Sequence, residues 1–265
     1  MNAPIYAQRD TIELKNGGIY VRDDDGTVVK IGRGGIHVYD EYDSIDVRIG
    51  NPDLDPYRNV RTRWVLMDLG FDVLIPDEDY RLSNGSDPFE LKAGKSTNVN
   101  LHLFQQRINL INHAVNLKWG LTFQFHKYSF NNPVTLQKDA PQATFNYFEN
   151  TNFKKNRLSA TYLTMPVMLN FETKPCHKTQ SFHINIGAYG GPRLGANFKT
   201  KVDGDKDKIR DDYNLAKWRY GLRAEIGYGW FKLYGTLGLN NLFQDSKDNG
   251  YKVTPLSVGF IIIPF

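Results

Sequence analysis

Between residues 115 and 126 the chain alternates apolar and polar side chains with hardly a break. Val115, Leu117, Trp119, Leu121, Phe123 and Phe125 occupy one parity; Asn116, Lys118, Gly120, Thr122, Gln124 and His126 occupy the other. A period of two belongs to a β-strand, whose successive side chains point to opposite faces. The length of the run is what constrains the fold. Strands of soluble proteins typically hold about 5–6 residues, whereas a tilted strand crossing a bilayer needs about 9–11. The pattern recurs as Val65, Met67, Leu69, Phe71, Val73 and Ile75 against Asp68, Gly70 and Asp72. It returns again as Trp218, Tyr220, Leu222, Ala224, Ile226 and Tyr228 against Arg219, Gly221, Arg223, Glu225 and Gly227.

Eight such segments are predicted, at about 63–75, 98–111, 114–127, 157–171, 181–198, 217–229, 231–243 and 253–265. An even number of long antiparallel strands suits a closed barrel. The connections alternate along the chain: long at 76–97, 128–156 and 199–216, tight at Asn112-His113 and Gly229-Trp230, moderate at 172–180 and polar at 244–252. Long loops therefore gather at one end, the arrangement of outer-membrane barrels with short periplasmic turns and both termini in the periplasm. The expected fold is all-β, an eight-stranded antiparallel up-and-down transmembrane β-barrel preceded by a short β-rich extension. Mean hydropathy of −0.49 does not oppose it, because lipid-facing and lumen-facing residues cancel in the average. No run approaches the ~18 apolar residues of a spanning helix.

Residues 1–60 hold 11 acidic and 7 basic residues, a net −4, while residues 61–265 hold 18 and 26, a net +8. The domain division follows this shift: residues 1–60 form an acidic periplasmic extension and residues 61–265 the barrel. Short β-type runs such as Gly18-Ile19-Tyr20-Val21 and Gly35-Ile36-His37-Val38 flank Asp23-Asp24-Asp25-Gly26 and Tyr39-Asp40-Glu41-Tyr42-Asp43. These carboxylates lack the twelve-residue spacing of a calcium loop and are expected to be solvated turns. A charged and an apolar signal region are both missing, and Ala7 is read as the residue before a cleavage point. The lone Cys176 excludes an internal disulfide and a thiolate zinc cluster.

An eight-stranded barrel is just wide enough to be filled by its own side chains. The parity opposite the apolar stripes carries Asp68, Asp72, Lys118, His126, Arg193, Arg219, Arg223, Glu225 and Lys232. Buried charges need partners, so a lumen network between neighbouring strands is expected, not an open pore. Interfacial aromatics are assigned as Trp64, Phe171, Trp230 and Phe265 at the periplasmic rim, with Phe125, Trp218 and Phe243 at the outer rim. The alternative of a soluble lipocalin-like ligand-binding barrel would turn the apolar face inward. The second alternative, a lipid-modifying enzyme, rests on His126 and Ser129, which a continuous strand would put on opposite faces. No catalytic, cofactor or metal residue is assigned, since His102, His113, His126, His177 and His183 share no ligand spacing. No phosphate loop or basic helix points to nucleic acid. Lys154, Lys155, Arg157, Lys199, Lys201, Lys206 and Lys208 fall in outer connections, where lipopolysaccharide phosphates are candidate partners.

Three stretches carry a family resemblance. The first runs from Tyr213-Asn214-Leu215-Ala216-Lys217-Trp218-Arg219-Tyr220-Gly221-Leu222 through Glu225–Phe231 to Leu239-Asn240-Asn241-Leu242-Phe243. The second is Tyr162-Leu163-Thr164-Met165-Pro166-Val167-Met168-Leu169, and the third is Val258-Gly259 to Phe265. Over residues 63–265 the chain resembles the PorT-type outer-membrane β-barrel proteins of the Bacteroidetes. That resemblance implies a barrel, no catalytic residues, and in one branch a part in protein secretion. The ending on Phe265 resembles the terminal strand read by the barrel assembly machinery. The function expected is a structural or partner-binding component of the outer membrane, an accessory to secretion or envelope assembly with a periplasmic or secretion-complex protein as partner.

Overall fold

A computed structural model describes residues 59–149, 151, 153–173, 181–202, 205–229 and 231–262, together with the backbone of five strands between residues 11 and 49. The acidic turns at Asp23–Gly26 and Glu41–Asp43, Ala7, Cys176, His177, Trp230 and Phe265 lie outside the described residues. The chain divides into two units, Met1–Arg61 and Thr62–Phe265.

In the first unit β1 (Thr11–Lys15), β2 (Gly18–Arg22), β3 (Thr27–Gly32), β4 (Gly35–Asp40) and β5 (Asp46–Ile49) form a sequential antiparallel meander. Its register aligns positions 12, 21, 29, 38 and 47 in one cross-strand row and positions 14, 19, 31, 36 and 49 in another. Every one of these ten positions is Ile, Leu or Val.

The second unit takes in β6 (Val60–Pro76) from Thr62 onward, β7 (Thr97–Ile111), β8 (Val115–Ser129), β9 (Val134–Leu136), β10 (Phe145–Tyr147) and β11 (Lys155–Glu172). After them come β12 (Phe182–Val202), β13 (Asp205–Arg210), β14 (Trp218–Tyr228), β15 (Phe231–Gly238) and β16 (Val253–Ile262). The sheet order is β11-β8-β7-β6-β16-β15-β14-β12, and β11 pairs with β12 to close the ring. Each of the eight wall strands thus lies beside its chain neighbours, and the first wall strand, β6, lies beside the last, β16. This is the eight-stranded up-and-down barrel.

Parity decides the two sides of the wall. Along β14 the odd-numbered residues are buried without exception and the even-numbered ones exposed. Outward stand Leu69, Phe71, Val73, Met165, Val167, Leu169, Ile186, Leu222, Ile226, Val258 and Phe260, each exposed; Asp68, Asp72, Arg219, Arg223 and Glu225 are buried inward. The apolar belt is therefore on the outside and the charge inside, which overturns the lipocalin-like alternative. In β6 the parity breaks where Val65 takes a φ of 53°. Trp64 and Val65 then both face out, at 69% and 61% exposure. A β-branched residue in the left-handed region is strained, and this bulge lets one strand hold its lipid-facing register while turning at its end.

At one end the turn between β7 and β8 is tight. Asn112 and His113 have φ of 46° and 58°, and Ala114 N–H donates to the Ile111 carbonyl at 2.9 Å. Two successive left-handed residues match the twist of the flanking strands, and Asn tolerates that conformation best after Gly. At the other end the connections differ from expectation. The connection at 199–216 is not a loop throughout: β12 runs on to Val202 and β13 folds back along it. The seventh wall strand stops at Gly238 instead of residue 243, because the segment beyond it turns inward to pack with the loops.

Candidate functional site

The lumen is filled by side chains that reach across it. Arg223 on β14 donates from its Nη2 to Asp68 on β6 at 2.6 Å, and from its Nε to Glu225 at 2.8 Å. Lys118 on β8 reaches the same Glu225 at 2.6 Å. His102 on β7 meets Asp68 at 2.8 Å and Thr122 at 2.7 Å. An amide ladder extends the cluster: Asn185 donates to Glu225, Asn170 to Asn185, and Asn116 to Asn170. The expected pairing between neighbouring strands is present between His102 and Asp68 and along the amide ladder, but the Arg223–Asp68 and Lys118–Glu225 pairs reach further. β6 and β14 have β16 and β15 between them, and β8 and β14 have β11 and β12 between them. A ring of eight strands is so narrow that long side chains from opposite walls touch.

Higher in the barrel, Asp72 accepts from Ser257 at 2.6 Å and sits 3.0 Å from His126. His126 also contacts Asn98, whose amide oxygen accepts from Tyr234 at 2.6 Å. The carboxylate stands between the serine and the imidazole, whereas nucleophile activation needs the imidazole between the other two. Ser129 hydrogen-bonds the Lys95 carbonyl at 3.0 Å, and its side chain is turned away from His126. Above this level, among the described residues, Arg219 has no carboxylate partner. It donates to Tyr128 at 3.0 Å and Tyr189 at 3.4 Å, and its guanidinium carbon lies 5.5 Å from the Tyr162 ring centre. Among the described residues no group of His, Cys, Asp and Glu is placed to hold a metal ion.

Two of the sequence-assigned lumen residues sit apart from this network. Arg193 lies at the rim and donates to the Asp212 carbonyl at 2.5 Å. Lys232 is half-buried near the opposite end, where Arg107 and Glu172 form a further ion pair. His102, Asn98, Asn100, Tyr128, Tyr162, Tyr189, Tyr234 and Ser257 were missed as lumen residues. Parity was the signal for several of them, since Asn98, Asn100 and His102 alternate with Val99 and Leu101.

Over one mouth, the long connections fold into a second core. Phe89, Phe130, Val134, Leu136, Phe145, Phe198, Tyr213, Leu215, Leu242 and Phe243 are buried together, with Tyr80, Leu82 and Tyr251 packed against them. The Phe89 ring packs edge-on to Phe145 at 5.3 Å and to Tyr251 at 5.4 Å. Phe243 is therefore not an interfacial aromatic, because it is 1% exposed inside this cap. Trp218 is 62% exposed on the outer face and Phe171 44% exposed; Phe125 is partly exposed on the lipid side. Burial pushes the Tyr213 hydroxyl up to about 12, with Asp211 adding to the shift. A groove of about 410 Å³ lies beside β6, lined by Phe71, Val73, Phe89 and Leu91 with Asp87, Glu90 and Lys92 at its rim.

Lipid-facing strands, a charged lumen and a loop cap define a small, filled membrane barrel. The family model for the outer membrane protein beta-barrel domain matches residues 69–244, and the chain belongs to that family of outer-membrane proteins. No curated protein matches the chain. Among solved structures it is similar to Ail, the attachment invasion locus protein of Yersinia pestis, solved in complex with the heparin analogue sucrose octasulfate. The identity is 13%, with 75% of this chain and 96% of that one covered, at a TM-score of 0.30.

Proposed function

We propose that the chain is a PorT-type barrel that works as a structural and partner-binding component of the outer membrane, an accessory to secretion or envelope assembly, and that it has no catalytic activity. Both termini lie in the periplasm, and the extension at residues 1–60 is the docking element for a periplasmic or secretion-complex protein. The last strand is delivered through the barrel assembly machinery. The observation that carries this reading is the doubly closed lumen. Asp68, Arg223, Glu225 and Lys118 meet across the barrel, and an apolar cap covers one mouth. Side chains that meet across the lumen and a cap over one mouth support a function that belongs to the barrel's surfaces. In the extension, the strand register aligns ten Ile, Leu and Val positions in two rows, a composition suited to packing against a further layer.

The test has three parts. Purified protein in a planar bilayer is expected to show no current steps, and steady openings would overturn the closed barrel. Deleting residues 9–60 is expected to remove one set of co-purified proteins; an unchanged set overturns the docking role. In a Cys176→Ser background, an impermeant maleimide applied to whole cells is expected to label Asp248→Cys and spare His113→Cys, and the opposite pattern would invert the orientation.

A further inference from the structure

The outward face of β8, β11, β12 and β13 has a composition that neither the lumen nor the cap requires. Leu158, His126, Tyr128 and Phe198 are buried inward, so alternation turns Lys127, Arg157 and Lys199 outward. Register then lines the cations up sideways. Lys155, Lys201 and Lys206 form one row, and Arg157, Lys199 and Lys208 form the next. A third row reads Lys127, Ser159, Asn197, Arg210. With strands about 4.8 Å apart and alternate residues about 7 Å apart, eight cations occupy a patch the size of a sugar headgroup.

Among the described residues of β8, β11, β12 and β13, no carboxylate shares this face. Asp205 and Asp207 occupy the alternate positions of β13 and so lie on its reverse side. Among the described residues, none of the eight cations makes an ion pair. The Arg157 Nε is buried without a hydrogen-bond partner. Partial desolvation, then the charges of Lys208, Arg157, Lys127 and Lys155, hold the Lys199 amine below its ordinary pKa. Like charges placed directly opposite each other across strands are destabilising, so the arrangement lacks its counter-anion. On the membrane side of the grid, Phe125 and Phe123, stacked at 6.3 Å, continue the same outward face of β8. The strands thus pass from an apolar belt directly into the cations. Such a sequence suits an anion with acyl chains beneath it; a water-borne anion would have no use for the belt. The groove beside β6 is a poorer candidate, since Asp87 and Glu90 would repel phosphate.

We infer that this face is a binding site for the phosphate groups of an outer-leaflet glycolipid, lipopolysaccharide, whose acyl chains lie against the belt below. The inference rests on the proposed orientation, which puts the cap and the grid on the cell exterior.

The full chain, stripped of lipid in detergent, is titrated with diphosphorylated lipid A, with its dephosphorylated form and with the water-soluble headgroup phosphate. Wild-type protein is expected to bind the phosphorylated lipid, less tightly as salt screens the charges. Lys199→Gln/Lys206→Gln/Lys208→Gln/Arg210→Gln should weaken this by at least about tenfold, given the strength of charge-assisted bonds to phosphate. A control with the same charge change, Lys92→Gln/Lys138→Gln/Lys247→Gln/Lys252→Gln, should bind as wild type does. If the fourfold variant fails to fold, Lys206→Gln/Lys208→Gln on the edge strand alone carries the comparison, with a loss of affinity expected. Equal binding of the dephosphorylated lipid, or equal loss in the grid and control variants, overturns the site. A headgroup bound as tightly as the lipid would assign the grid to a free phosphate. Because binding in detergent is independent of orientation, inverted labelling on cells is a separate failure: it removes the cellular source of the lipid while leaving the measured affinity in place.

Discussion

Two buried arginines on one strand, four residues apart, show how partner chemistry sets the cost of a charge. Arg223 is held between Asp68 and Glu225. Arg219 is held by tyrosine hydroxyls and a ring face, with no acid in contact among the described residues. Removing one member of a buried ion pair leaves an uncompensated charge, at about 3–5 kcal/mol; losing hydrogen bonds to neutral groups costs about 1–2 kcal/mol. Arg223→Met should therefore destabilise the barrel by about 3–5 kcal/mol and Arg219→Met by about 1–2 kcal/mol, read from urea unfolding of the membrane-extracted protein. Adding Asp68→Asn and Glu225→Gln to Arg223→Met should recover part of the loss, though Lys118 and His102 then lose a partner. Equal costs for the two arginine variants would contradict this account. Much of the network was legible from parity, which put Asp68 and Arg223 on one face. Which residues meet was not, because Asp68 and Arg223 are 155 positions apart and only closure of the ring brings them together.

Among the elements, β12 departs furthest from a minimal spanning strand. Its 21 residues exceed the ~9–11 needed to cross a bilayer, and the surplus carries Lys199 and Lys201 into the hairpin with β13. Alternation predicted the spanning part, but the run Asn197-Phe198-Lys199-Thr200-Lys201 has too little apolar contrast to extend the strand by pattern alone. Partial desolvation and then the neighbouring cations depress the Lys199 pKa, so the folded hairpin binds fewer protons than the unfolded chain just below the ordinary value of 10.5. Repulsion is present while Lys199 is charged and falls away as pH rises through its depressed pKa, so hairpin stability rises with pH in that window. Competitive acetylation read by mass spectrometry should place the Lys199 titration below 10.5 and move it upward in Lys208→Gln. A titration that does not move on loss of Lys208 would show that the cross-strand lysine does not contribute to the shift.

As a whole molecule, the barrel unit has two interiors of opposite character. The lumen is polar and held by ion pairs across a closed ring; the cap is apolar and built from Phe89, Phe130, Phe145 and Phe243, from the connections after β6, β8 and β15, together with Phe198 of β12. The first was readable because strand periodicity repeats. The second was not, because loop residues carry no period, and Phe243 in particular reads like one more strand aromatic until its contacts are known. This division predicts separable responses to damage. Phe145→Ala removes a ring packed edge-on to Phe89, Phe130, Phe243 and Tyr251, and a buried Phe→Ala change costs about 3–5 kcal/mol. The loss should fall on the cap alone. Trypsin applied to membrane fractions is expected to cut the variant within 77–96 or 130–154 while wild type resists. The boiling-dependent gel mobility that reports a closed barrel should stay unchanged, since the hydrogen-bonded ring and its ion pairs contain no cap residue at position 145. Loss of heat-modifiability together with the cuts would mean that cap and barrel fold as one cooperative unit, with the ring depending on the loops for its closure.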